Sequence, residues 1–146
     1  MYKRVVFLGP IAGTTYAANL TVWDVLGGLG FQGRYGDAYL ASASGVLAVC
    51  DLTRPDTLDD LGLYLEHAAA AGGVPAIVLA NKIDLGAQVR ITGGELSRFC
   101  ARYGASFLET SARTGQNVGV AFAKLAEAAL KVVLAESPRA IGPQAD

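Results

Sequence analysis

The 146-residue sequence predicts an α/β fold of three layers, a mostly parallel sheet with helices on both faces. Three observations predict it. Strand-like and helix-like patterns alternate along the chain. Val74–Ala80 and Ala105–Leu108 are continuous apolar runs, as expected of strands buried on both faces. Each run ends at a polar corner, Asn81 to Asp84 after the first and Glu109 to Arg113 after the second. Open α/β sheets bind ligands at that carboxyl edge.

Taken in order, Val5–Leu8 reads as the first strand and Leu20–Val25 as the second. Both are expected to run parallel, joined through Gly9–Asn19. Gly45-Val46-Leu47-Ala48-Val49-Cys50-Asp51-Leu52-Thr53 carries another strand. Between Asp56 and Ala71, Leu58, Leu61, Leu65 and Ala68 recur at helical spacing, with Asp56 or Thr57 placed to cap the start and Gly72-Gly73 to stop it. Thr92 and Glu95 form a T-x-x-E capping box ahead of Leu96, Phe99, Cys100 and Tyr103, and Gly104 ends that helix. The last helix has Val118, Phe122, Leu125, Ala129 and Val132 as its expected buried stripe. A Pro- and Gly-bearing tail follows from Ser137. The organisation read from this is one domain over 1–136 and a flexible tail over 137–146.

Composition narrows the partners. An apolar share of 52% is ample for one core. With 12 basic and 13 acidic residues and no basic cluster, nucleic acid and anionic membrane are disfavoured. Cys50 and Cys100 lack metal or redox spacing and read as buried small hydrophobes, which fits the cytosol. No run approaches a signal-peptide core or a bilayer span, and the ending Pro143-Gln144-Ala145-Asp146 has no prenylatable cysteine, so no intrinsic membrane anchor is expected. His67, the single histidine, lies in the Asp56–Ala71 pattern far from every motif and reads as solvated surface.

The two corners suit a guanine ring. The Asp84 carboxylate can accept from N1–H and the N2 amino group, a pattern adenine does not present. Asn81 can brace the loop and meet the base, the Lys82 stem can lie along the ring face, and the N–H of Ala112, beside Ser111, can donate to the guanine carbonyl. An ordinary polar turn is the bland reading of either corner alone.

From Val5 to about Val133 the chain resembles the Ras and Rab type of small GTPase within the P-loop NTPases. Trp23-Asp24-Val25-Leu26-Gly27 resembles that family's W-D-x-x-G, Gly45–Thr53 its fourth strand, and Asn81–Asp84 with Ser111-Ala112 its base motifs. The resemblance implies a guanine-nucleotide switch that cycles between GTP and GDP with Mg²⁺, hydrolyses GTP slowly and engages effector or regulatory proteins. Leu29–Gly36 corresponds to the second switch, its glycines permitting rearrangement within a Gly27–Tyr39 loop, with Phe31, Tyr35 and Tyr39 either a partner surface or a cover for the sheet edge. The alternative is a non-catalytic interaction module on the same scaffold.

The phosphate half departs from the family. Val6–Thr15 begins like a glycine-rich phosphate turn, with Gly9, Gly13 and Thr14 as candidate phosphate ligands together with Gly27. Only Pro10, Ile11 and Ala12 separate the glycines, and no lysine follows. Thr14, Thr15 and Asp24 are the candidate Mg²⁺ ligands. The family implies a helix, a first switch and an edge strand ahead of W-D-x-x-G, for which eight residues between Thr15 and Asp24 leave no room. A degenerate protein, a rearranged site, or residues not included in the sequence would each explain this, and Gly9–Gly13 as a plain tight turn is the bland reading. Gly28 stands where the family's water-orienting Gln is expected, so the catalytic residue is unassigned. Gln32 is the nearest substitute.

Overall fold

The computed structural model describes residues 1–25 and 34–136, with the side chains of 34–37 left aside. Gly27, Gly28, Phe31, Gln32 and the 137–146 tail therefore lie outside the described residues.

The parallel sheet is as expected. Strands β3 (Val46–Asp51), β4 (Ala76–Asn81) and β5 (Ser106–Glu109) pair in that order, all parallel. Helices α2 (Asp56–Ala70) and α3 (Gly93–Tyr103) cover one face. Leu58, Leu61, Leu65, Leu96, Phe99 and Cys100 close there on Ala48, Cys50, Val78 and Ala80 to form the main core. Both cysteines are buried and free. Helix α4 (Val118–Glu136) packs from the other side, against β3, β4 and the first strand, β1 (Tyr2–Ile11). Its deepest residues are Ala121 and Ala126, whereas Val132 is 42% exposed, so the expected stripe is displaced. The cause is that α4 serves two partners at once, and small residues sit where strands approach it closely.

Local signals explain the helix ends. The capping box of α3 is complete: the Thr92 hydroxyl accepts from the Glu95 N–H, and the Glu95 carboxylate accepts from the Thr92 N–H. Gly104 closes that helix at φ 64. Helix α2 ends at Gly72-Gly73 as expected, but its N-cap is Pro55, with no side-chain cap. The hydroxyl of Thr57 instead accepts the Asp51 N–H at 2.9 Å and donates to the Arg54 carbonyl at 2.7 Å, tying α2 to the end of β3.

The first two strands differ from expectation. β1 (Tyr2–Ile11) and β2 (Thr14–Val22) form an antiparallel hairpin turned by Ala12 and Gly13, both at positive φ (50° and 85°), as a right-twisting two-residue turn requires. The register slips between Leu8 and Ile11, where Pro10 has no N–H to give the ladder. Val6 and Leu8 point inward onto Ala126, while Val5 and Phe7 point outward. The glycine-rich phosphate turn read at Gly9–Thr15 is thus corrected to a hairpin turn, and the two strands expected to run parallel are antiparallel. β1 and β2 make a two-stranded sheet of their own, separate from the parallel β3-β4-β5 sheet.

Arg34–Ala41 is helix α1, where a loop was expected as far as Tyr39. The Tyr39 ring lies 5.7 Å from that of Trp23, centroid to centroid, and both are exposed.

Candidate guanine-nucleotide site

Parallel register brings the two corners together. Asp51 pairs with Asn81 and Ala80 with Glu109, so β3, β4 and β5 end on one edge. The backbone then stitches the corners: Leu52 N–H donates to the Asn81 carbonyl at 3.0 Å and Ile83 N–H to the Thr110 carbonyl at 3.1 Å. Between these bonds Lys82 adopts a left-handed conformation (φ 73°, ψ 29°), a strained choice for a lysine that the flanking bonds sustain. The chain then turns into a short 3₁₀ segment, Ile83–Gln88, which lifts Asp84 to the surface.

Side chains join what the backbone aligns. The Ser111 hydroxyl donates to Asp84 Oδ1 at 2.8 Å and accepts the Thr114 N–H at 3.1 Å. Ser111 is fully buried, so its two bonds fix one oxygen of an exposed carboxylate. Asp84 Oδ2 has no hydrogen-bond partner among the described residues. Asn81 Oδ1 accepts the Ala112 N–H at 3.0 Å and the Thr110 hydroxyl at 3.4 Å. The Ala112 amide assigned to the guanine carbonyl is therefore already engaged by Asn81 and has to be shared with any base.

Three contributors were not singled out from the sequence. Asp51 Oδ2 accepts the Lys82 ammonium at 2.6 Å, and its Oδ1 accepts the N–H and hydroxyl of Thr53 at 2.9 and 2.7 Å. Burial raises the Asp51 pKa, but the bonds from Lys82 and Thr53 outweigh it and hold the carboxyl at about 2, below the ordinary 3.8. Asn117, at φ 59°, donates from its side chain to the Glu109 carbonyl at 2.8 Å and closes the β5–α4 loop. The available signal was positional: an ionisable residue ending a parallel strand next to Asn81 must share its crevice.

A guanine edge fits this donor and acceptor set. An exposed carboxylate with one oxygen pinned and one open can meet two adjacent N–H groups. The Mg²⁺ set does not fit. Thr14 and Thr15 begin β2 and Asp24 follows its end, and a nine-residue strand sets them roughly 25 Å apart or more. Ligands of one Mg²⁺, each about 2.1 Å from the ion, cannot be so separated. Among the described residues no cluster of three His, Cys, Asp or Glu could hold a metal.

The hairpin's direction also matters. Arg4 stacks over Phe122, 4.8 Å from the ring centroid, in the first turns of α4, and the contact continues through Val6 and Leu8 towards Ala126 and Leu130. The Asp24 end of β2, paired beside Tyr2, accordingly lies towards the base corners. Gly9, Gly13, Thr14 and Thr15 lie towards the far end of α4. Those four are corrected: they do not assemble with the base corners into one nucleotide cradle.

The site thus belongs to an α/β domain that presents two polar corners, joined by side-chain hydrogen bonds, on one parallel-sheet edge. A family model described as the Ras family matches residues 10–131. The curated relatives include the Ras-related protein Rab-4B of rat, human and mouse, each 36% identical over 133 residues, which is 90% of this chain and 60% of the relative. The chain belongs to the Ras family. It spans 60% of the length of those curated relatives. Among the described residues no helix is long and apolar enough to cross a membrane.

Proposed function

We propose that this chain is the guanine-reading part of a Ras/Rab-like switch that binds GTP and GDP with Mg²⁺. The observation that carries the reading is the Ser111–Asp84 bond, because it links the two corners and leaves one carboxylate oxygen open to the base. Asn81, Lys82, Asp84, Ser111 and Ala112 hold the guanine. Gly27 remains the candidate towards the phosphates, and Asp24 the candidate that would hold the accompanying Mg²⁺ through its water shell. γ-Phosphate contacts would bias the Gly27–Tyr39 segment, and a regulatory or effector protein would read the result. Gly28 has no side chain to orient water, so hydrolysis of GTP to GDP and phosphate is slow unless a partner supplies groups in trans.

A second reading is favoured by a specific observation. The hairpin at Gly9–Thr15 provides no helix N-terminus for phosphate, as a non-catalytic interaction module would tolerate. Calorimetric titration with GDP, GTP and ATP, each with and without Mg²⁺, separates the two. Guanine-selective binding supports the switch, absence of binding supports the module, and preference for ATP overturns the base assignment.

A further inference from the structure

We propose that Asp51 is a positioning residue of the base site, holding the Lys82 ammonium so that the lysine's aliphatic stem lies across the crevice as a stacking surface for the purine. This rests on the guanine reading above.

The order of dependence is set by what holds each partner. The Asp51 carboxylate is oriented by its own strand end, since Oδ1 takes both the N–H and the hydroxyl of Thr53. That leaves Oδ2 aimed outward before any lysine arrives. The carboxylate side chain is 15% exposed, whereas Lys82 is 49% exposed. Lys82 is the mobile member by chemistry, with four rotatable bonds, and it is restrained at both ends here. Its backbone is locked in the left-handed conformation between the Leu52–Asn81 and Ile83–Thr110 bonds, and its ammonium is held 2.6 Å from Oδ2. A chain fixed at both ends must run between them, from the corner that carries Asn81 and Asp84 to the tip of β3. The in-register pairing of Asp51 with Asn81 makes that span short.

The arrangement divides two tasks. Asp84 reads the hydrogen-bonding edge and so distinguishes one purine from another. The Lys82 stem offers apolar contact to a ring face and so contributes alike to any purine. Asp51 acts through Lys82 and touches no base. An exposed ion pair of little consequence would resemble this in geometry alone but would leave binding unchanged when broken.

The test titrates wild type, Asp51→Asn, Lys82→Met and the double variant with GDP and IDP, inosine lacking the 2-amino group. Methionine keeps an unbranched stem without the ammonium. Each single variant is expected to weaken both nucleotides by about five- to tenfold while the GDP-to-IDP ratio stays within about twofold. The double variant is expected to be no more than about twofold weaker than either single one. Wild-type affinity in Asp51→Asn, additive losses in the double variant, or a collapse of the GDP-to-IDP ratio in Asp51→Asn would each overturn the positioning role. Should Asp51→Asn fail to fold, Lys82→Met decides, because it alters a half-exposed side chain: an equal loss for both nucleotides supports the role, and unchanged affinity overturns it. A wild type that binds GDP and IDP equally would refute the guanine reading itself, and the positioning role with it.

Discussion

Replacing Asp84 by alanine separates base reading from fold support, because one of its oxygens is held by Ser111 and the other is open. On the guanine reading, the carboxylate meets N1–H and the N2 amino group with two charge-assisted bonds. Each is taken at the lower end of the usual range because Asp84 is exposed. Their joint loss is about 3 kcal/mol, or roughly a hundredfold in GDP affinity. ADP offers neither donor in that position and should be little affected, so the GDP-to-ADP ratio falls by about the same factor. Stability falls for another reason. Ser111, with 0% exposure, loses the acceptor of its hydroxyl, at a cost of about 1 kcal/mol and so roughly 4 °C in Tm. Ser111→Ala is the control, since it removes the same Ser–Asp bond but keeps the carboxylate. It should lose comparable stability and retain most of the selectivity. The assay is calorimetric titration alongside thermal unfolding, and an Asp84→Ala protein that still prefers GDP by the wild-type ratio would refute the assignment of the base pocket.

Other expectations concern the frame around the site. Leu96, with 0% exposure at the centre of the main core, should cost about 2–5 kcal/mol as Leu96→Ala in a denaturant titration. Thr92→Ala removes the cap of α3 and should cost about 1 kcal/mol by the same measurement. Gly104→Ala forces a side chain to φ 64 at the end of α3 and should destabilise by about 1 kcal/mol, whereas Gly104→Asn should be milder. The Asp51 carboxyl has a folded pKa of about 2, below the ordinary 3.8. Its contribution is therefore complete above about pH 3.8 and is lost as the pH falls towards 2. Acid titrations of wild type and Asp51→Asn should show that limb flattened in the variant, and identical acid limbs would contradict the ion pair.

What was legible in the sequence depended on whether a pattern has one physical cause. β4 read correctly because a strand buried on both faces must be a continuous apolar run, and Val78 and Ala80 on one face and Ile77 on the other are buried. α3 read correctly because a capping box and a left-handed glycine have few other uses. The hairpin was opaque for two reasons. Val5, Val6, Phe7 and Leu8 are all apolar, so the alternation that puts only Val6 and Leu8 inside cannot be seen in the residue types. The turn residues are Ala12-Gly13 where Asn-Gly or Asp-Gly would have signalled a hairpin, and the two flanking glycines imitated a phosphate turn. The Asp51–Lys82 pair was opaque differently, since 31 residues separate its members and only strand register joins them.

The two halves of a nucleotide site make unequal demands on a fold, and on the guanine reading this chain meets them unequally. Base reading needs only that parallel strands end together, after which register delivers Asp51, Asn81 and the Glu109–Asn117 loop to one edge. Phosphate binding needs a strand to turn directly into a helix, and the hairpin forecloses that at Gly9–Thr15. The base half is also internally satisfied: no buried side-chain polar atom is left unpaired among the described residues. A purine entering such a site gains the open Asp84 oxygen without repairing any defect, but it must share the Ala112 N–H with Asn81. Asn81 then sets the amide's direction, and on the guanine reading Asp84 is the residue with capacity left to discriminate among bases.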